Sequence, residues 1–241
     1  MDLEHEHSAD AIRLRLASGP SVNYLRDWIY GGIDGAITTF AIVAGAVGAS
    51  LSPGIVIILG IANLIADGFS MAASNYSGTK SERDDYMRLR AMEERHIALY
   101  PEGEREEIRQ IFAAKGYSGS DLDRMVDLVT EHKSQWIDTM LTEEHGVALV
   151  QRVPLIAGLS TLAAFVLCGT VPLLPFVFDL TQAAWLSTGL VALVFFAIGS
   201  VKSRWSTDHW LHSGLETLAI GLVAALVAYG IGALLRGIVP I

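Results

Sequence analysis

Apolar residues fall into two arrangements along this chain. Five stretches are apolar almost without interruption, at roughly 28–50, 54–77, 147–170, 183–201 and 211–235. Each is close to the ~20 residues a helix needs to cross ~30 Å of hydrocarbon, so the pattern predicts five membrane spans. Pro53 marks a tight connection between the first two, and Pro172 and Pro175 mark the connection between the third and fourth. All five are rich in Gly and Ala, which lets helices approach closely in lipid. The segment 80–145 is different. It is highly charged, and its apolar residues recur at helical spacing, which predicts three amphipathic helices over 81–99, 102–115 and 120–144. Pro101 can open the second, and the run GYSGSD separates it from the third, with Ser120 or Asp121 as N-cap. The expected fold is all-α: an integral membrane protein with five transmembrane helices and a cytosolic three-helix insert between helices 2 and 3. The expected divisions are a cytosolic N-terminal tail (1–25), spans 1–2 (26–79), the insert (80–146) and spans 3–5 (147–241). Residues before Val22 read as disordered or weakly helical.

The polar positions inside the spans carry the chemistry. Asp27 and Asp34 stand at the start of the first span, seven residues apart and therefore on one helix face. A charged side chain near the bilayer centre costs at least ~2.5–3.5 kcal/mol, so it is rarely accidental. The second span carries Asn63, Asp67 and Met71 at i, i+4 and i+8. Two neighbouring spans thus each carry a stripe of metal-type ligands, which points to a cation path. Carboxylate oxygen suits Fe²⁺, Mn²⁺ and protons, and a thioether beside carboxylates favours softer first-row metals over Ca²⁺ or Mg²⁺. The competing readings are structural. Asp27 can be a helix start at the interface, Asp34 and Asp67 hydrogen-bonded packing residues, Asn63 an inter-helix tie, and Met71 plain packing.

Composition agrees with a membrane protein. The chain has 241 residues, is 51% hydrophobic, and has a mean hydropathy of +0.41. Its formal net charge of −9 excludes nucleic acid as an expected partner. The one cysteine, Cys168, lies in an apolar run and forms neither an internal disulfide nor a Cys-rich zinc site. No cleavable signal peptide is visible. Of 17 basic residues, only Arg236 falls beyond the last span; the others precede the first span, lie in the central segment, or sit between spans four and five. The positive-inside rule then places the N-terminus in the cytosol and the C-terminus outside.

The stretch DWIYGGIDGAITTFAIVAGAVGAS, then GIANLIADGFSMAASNYSGTKSE, resembles the vacuolar iron transporter family. The five-span layout, the acidic helical insert and the last span SGLETLAIGLVAALVAYGIG agree with it, and the resemblance covers nearly the whole chain from Arg26 onward. It implies a homodimer that exchanges a divalent metal, chiefly Fe²⁺, for protons and moves the metal out of the cytosol; the ligand chemistry adds Mn²⁺ as a candidate cargo. It implies a path between the first spans of two subunits, with Asp27, Asp34 and Met71 at family positions. A family glutamate falls on Asn63 here; Asp67, one turn on, can restore the carboxylate, a reading from spacing and not from the family pattern. In the insert, matching YPEGEREEIRQIFAAKGY places metal-binding positions on Glu93, His96, Glu104, Glu107, Met140 and Glu144. His96 stands where the family usually has an acid, and Leu141 replaces another. No resident cofactor is implied; the metal is substrate and bound ligand.

The residues alone also allow other readings. Glu93 and His96, Glu104 and Glu107, and Met140 and Glu144 are paired at i, i+3 or i, i+4, so each pair can address one ion, but acid runs are also common on solvated helix faces. His5, Glu6 and His7 can pick up metal or be a plain tail. Glu216, with His209 and His212, can form an access site for protons or metal, or serve the interface. A metal-gated cation channel and a membrane metal sensor stand as alternatives to an antiporter. A di-iron enzyme needs two Glu-x-x-His motifs, and the insert has one, Glu93–His96. The expected location is a vacuolar membrane or a prokaryotic plasma (inner) membrane, as a multi-pass protein.

Overall fold

Among the residues described by the structure, a computed structural model, which are 6–238, the regular elements are helices and there is no strand. His5 lies outside them. Helix α1 (Ala9–Ser18) is capped by Ser8, whose Oγ accepts from the Ala11 N–H at 3.3 Å. Part of the N-terminal segment is thus a helix. It is followed by α2 (Leu25–Gly48), α3 (Pro53–Leu99), α4 (Pro101–Ala114), α5 (Gly119–Glu131), α6 (Lys133–Glu143) and α7 (Pro154–Thr170). A 3-10 turn, Val171–Leu173, leads into the short α8 (Leu174–Val177), and α9 (Ala183–Lys202) and α10 (Trp210–Arg236) complete the chain. Five segments are long and apolar enough to cross a membrane: Leu25–Gly48, Pro53–Leu99, Pro154–Val177, Ala183–Trp205 and Trp210–Arg236.

Three local expectations are corrected. The third span begins at Pro154, not at 147. Gly146 has φ +65° and Val153 is extended, and a proline ring lacks the N–H and clashes with a preceding helical turn, so it belongs at the first helical position. The helix expected over 120–144 is two helices, α5 and α6, broken at His132, whose backbone is extended at φ −113° and ψ 111°. Helix α5 starts at Gly119 behind Ser118, rather than behind Ser120 or Asp121.

The chain forms two compact units. One comprises Thr79–Arg152 with the segment ending at Val22; the other comprises Asn23–Gly78 and the chain from Val153 onward. Helix α3, 47 residues long, contributes its apolar half to the second and its charged half to the first.

In the membrane-type unit, α2 is the most buried span. Asp27, Gly31, Gly35, Thr39, Phe40, Val43 and Ala46 form its inner face at three- and four-residue steps. It lies directly on α7: a Cβ at Gly31 would collide with the Thr161 carbonyl, and one at Gly35 with the Phe165 backbone. Small residues here let two backbones touch, the packing mode available where lipid removes the hydrophobic drive between helices. Phe165, Phe195, Val191 and Leu173 fill the core around them. Two buried hydroxyls donate to backbone carbonyls: Thr217 Oγ1 to Ser213 at 3.0 Å, one turn back, and Ser187 Oγ to Pro172 at 2.8 Å.

In the other unit, α4, α5 and α6 gather around Ile108, Phe112, Val126, Val129, Trp136 and Met140. A second cluster joins Leu89 of α3 to Ile137 and Leu141. Leu141 is completely buried there as a packing residue. Surface pairs such as Arg105–Asp127 at 2.6 Å and Lys115–Glu143 at 2.5 Å rim the core. Exposed pairs of this kind contribute about 0–1 kcal/mol each, so the apolar core carries the unit.

Candidate functional site

The span residues separate into a sealed cluster and an open one. Asp27 is fully buried. Asn75, from α3, holds it: its Nδ2 donates to Asp27 Oδ1 at 2.8 Å, to Thr161 Oγ1 at 2.7 Å and to the Ala157 carbonyl at 3.2 Å. Two turns along α2, Asp34 is only half-buried. Its carboxylate and that of Asp67 on α3 lie within electrostatic reach of each other. One turn away, Asn63 Nδ2 donates to Thr38 Oγ1 at 3.2 Å and Thr39 Oγ1 at 3.4 Å, tying α3 to α2. Thr38 Oγ1 in turn donates to the Asp34 carbonyl at 2.9 Å. Met71 is half-buried against the apolar core. The structure thus leaves Asp34 and Asp67 half-buried within electrostatic reach of each other, uses the Asn63 amide as an inter-helix tie, and places Asp27 in a separate buried network.

Asn75 was not singled out from the sequence. It continues the stripe Asn63, Asp67, Met71 by one more four-residue step, and that spacing was the available signal.

The acids of the insert converge. Glu93, on the charged half of α3, is 1% exposed, and Glu104, in the first turn of α4, is 5% exposed. One oxygen of each, Oε2, is buried without a hydrogen-bond donor. His96 Nδ1 lies 3.4 Å from Glu104 Oε1. His145 Nε2 lies 2.8 Å from Glu93 Oε1 and 3.7 Å from Glu144 Oε2. Ligand atoms of Glu93, His96 and Glu104, and again of Glu93, Glu144 and His145, fall within 4.8 Å of one another. Burial, then the charges of Glu107 and Glu93, a hydrogen bond with Glu93 and the charge of Glu144, push the Glu104 carboxyl up to about 7. Burial also raises Glu144, against the opposing effect of His145.

Glu107 is exposed and acts on the cluster through its charge. Met140 is completely buried in the apolar cluster with Ile108, Phe112 and Trp136. His145 is the residue that sequence reasoning missed. It follows Glu144 directly, and adjacent residues do not share a helix face, so helical spacing gave no signal. Elsewhere, Glu216 pairs with Lys202 at 3.6 Å, and His209 caps α10, its Nδ1 accepting from the Leu211 N–H at 3.3 Å.

Five membrane-length helices, with carboxylates on neighbouring spans and a helical unit holding clustered acids and imidazoles, define a polytopic membrane protein. The chain matches the model of the VIT family over residues 25–233 and belongs to that family. It is similar to a vacuolar iron transporter of Toxoplasma gondii, 33% identical over 231 residues that cover 91% of this chain and 76% of that protein. It is also similar to vacuolar iron transporter 1 of Oryza sativa subsp. japonica, at 35% identity over 86% of this chain and 83% of the relative. Vacuolar iron transporter 1 of Arabidopsis thaliana is 32% identical over 85% of this chain and 83% of its own length.

Proposed function

We propose that this chain transports divalent metal, Fe²⁺ and also Mn²⁺, out of the cytosol in exchange for protons. It works as a homodimer, with Asp27, Asp34, Asn63, Asp67 and Met71 along the path. The N-terminus and the insert are cytosolic, and the insert gathers metal through Glu93, His96, Glu104, Glu107, Met140 and Glu144. The names of the relatives support iron as the cargo. The observation that carries the reading is that Asp34 and Asp67, half-buried on neighbouring spans, lie within electrostatic reach of each other. Two carboxylates that feel each other's charge can take up either a divalent ion or protons, which is what exchange requires. Met71, one turn from Asp67, adds a thioether that Ca²⁺ and Mg²⁺ do not favour.

Flux into proteoliposomes under an imposed pH gradient tests this. The protein should concentrate Fe²⁺ against its own gradient, and collapse of the pH gradient should stop it. A metal-gated channel equilibrates the ion without concentrating it. Uptake that only ever ran downhill would replace the exchanger with a channel.

A further inference from the structure

We propose that His145 is a metal ligand, and that Glu93 bridges two ions in the insert. His96 and Glu104 complete one ion, and Glu144 and His145 complete the other. The inference rests on the reading of the insert as a metal-binding unit, and it adds a residue that the family resemblance does not place there.

The geometry is the first argument. Ligands at ~2.0–2.2 Å from one ion sit about 3.0–3.5 Å apart when adjacent. His96 Nδ1 to Glu104 Oε1 is 3.4 Å, and His145 Nε2 lies 2.8 Å from Glu93 and 3.7 Å from Glu144. Glu93 belongs to both groups of three. Small adjustments about existing side-chain positions are enough to admit an ion on either side.

Charge is the second argument. A hydrogen bond from His145 accounts for Glu93 Oε1 alone. Glu93 Oε2 and Glu104 Oε2 have no donor other than a proton held between the two acids, and buried carboxylates are costly unless protonated, paired or bound to metal. The basic side chains with defined ion pairs in this unit are engaged elsewhere: Arg90 with Asp138, Arg105 with Asp127, Arg109 with Asp123 and Lys115 with Glu143.

The backbone is the third. His145 is held in place after α6 by its N–H to the Met140 carbonyl at 3.3 Å, and the chain then turns at Gly146 with φ +65°. Val147 N–H closes the turn on the Leu141 carbonyl at 2.9 Å. A left-handed residue here lets the turn fold back without strain, and glycine supplies it. The imidazole is therefore fixed at the cluster, with 17% of its side chain exposed. One nitrogen donor per ion tilts the site from Mg²⁺ and Ca²⁺ toward later first-row metals.

The test uses the full-length protein in detergent, with Co²⁺ and Mn²⁺ as probes. Affinity is read by titration, and imidazole coordination by the nitrogen coupling of bound Mn²⁺ in pulsed electron paramagnetic resonance. His145→Gln should weaken Co²⁺ binding at least about tenfold, with a smaller loss for Mn²⁺. His145→Asp supplies an oxygen ligand and should keep Mn²⁺ affinity within a few-fold, whereas a purely structural His–Glu pair would be broken by it. The nitrogen coupling should persist in His96→Gln, where His145 is intact, and vanish in the double variant. Absence of coupling in His96→Gln would overturn the proposal without any change at His145. Unchanged Co²⁺ affinity in His145→Gln, with affinity lost in Glu93→Gln, would leave His145 a hydrogen-bond partner only. No loss in Glu93→Gln either would sink the metal-binding reading of the insert itself.

Discussion

Asp34 is the side chain on which the transport proposal turns. Unlike Asp27, which Asn75 ties into a buried network, Asp34 is half-open and shares its surroundings with Asp67. Asp34→Asn keeps size and hydrogen bonding but removes the charge and the titrating proton. Fe²⁺ flux in proteoliposomes should fall to background, while gel filtration shows an unchanged fold; wild-type flux from the folded variant would move the path elsewhere. Met71→Leu conserves volume and removes only the thioether, so its stability cost should stay under ~1.5 kcal/mol. Its effect should appear instead as a larger loss of Fe²⁺ flux than of Mn²⁺ flux. In the insert, Glu104 sets a pH dependence. Its carboxyl is pushed from the ordinary 4.5 to about 7 by burial and neighbouring acids. A metal must displace the proton, so affinity should drop as pH falls through about 7, by up to about tenfold per unit for this one group. The metal-free protein should show the opposite trend. A raised carboxyl pKa favours the folded state at low pH, and that contribution is lost as pH rises from 4.5 through about 7. Thermal melts in chelator and binding isotherms across the same pH range check both signs.

At the scale of elements, the α2–α7 contact sets the position of the buried network. The backbones meet at Gly31 and Gly35, and Asp27, Asn75 and Thr161 sit beside that contact. Gly35→Ala places a methyl on the Phe165 backbone, which cannot rotate away. It should cost about 1–3 kcal/mol and lower the midpoint of detergent thermal unfolding. Gly230→Ala, where an added Cβ meets nothing within 4 Å, is the matched control and should leave the midpoint in place. The spans themselves were legible because hydrocarbon demands long apolar runs, and such runs are unmistakable. Short-range breaks were not. The apolar positions Val126, Val129, Trp136 and Met140 keep helical spacing straight through His132, and no Gly or Pro marks the break there. The start of the third span was misread because Val147, Leu149 and Val150 are apolar, although Pro154 carried the boundary. The same limit applies to the site: spacing along one helix revealed stripes, whereas His145 enters the cluster through a turn, and its partner Glu93 is 52 residues away.

For the whole molecule, orientation follows from charge and from the number of spans together. If all five membrane-length helices cross, the termini lie on opposite sides of the membrane. The proposed orientation then rests on the basic residues, because all but Arg236 of the 17 fall in segments that an odd count assigns to one face. In the proposed arrangement that face also carries the insert, so metal would be gathered on the side it leaves. Labelling of single cysteines with a membrane-impermeant reagent tests this arrangement. The background is Cys168→Ala, a small change at a half-buried site whose Sγ would be in contact with a Cβ at Gly32. Ser8→Cys and Ser134→Cys, both exposed, should react only from the cytosolic side, and Gly237→Cys only from the opposite side. Reaction of Gly237→Cys from the cytosol would require an even number of crossings. One of the five apolar helices would then have to lie outside the bilayer. The least buried of them, α10, exposes Leu226 at 71% and Val223 at 61%. Leaving that surface in water would cost about 25 cal/mol for each Å² of apolar area, and this is the energy that commits the fifth helix to the membrane.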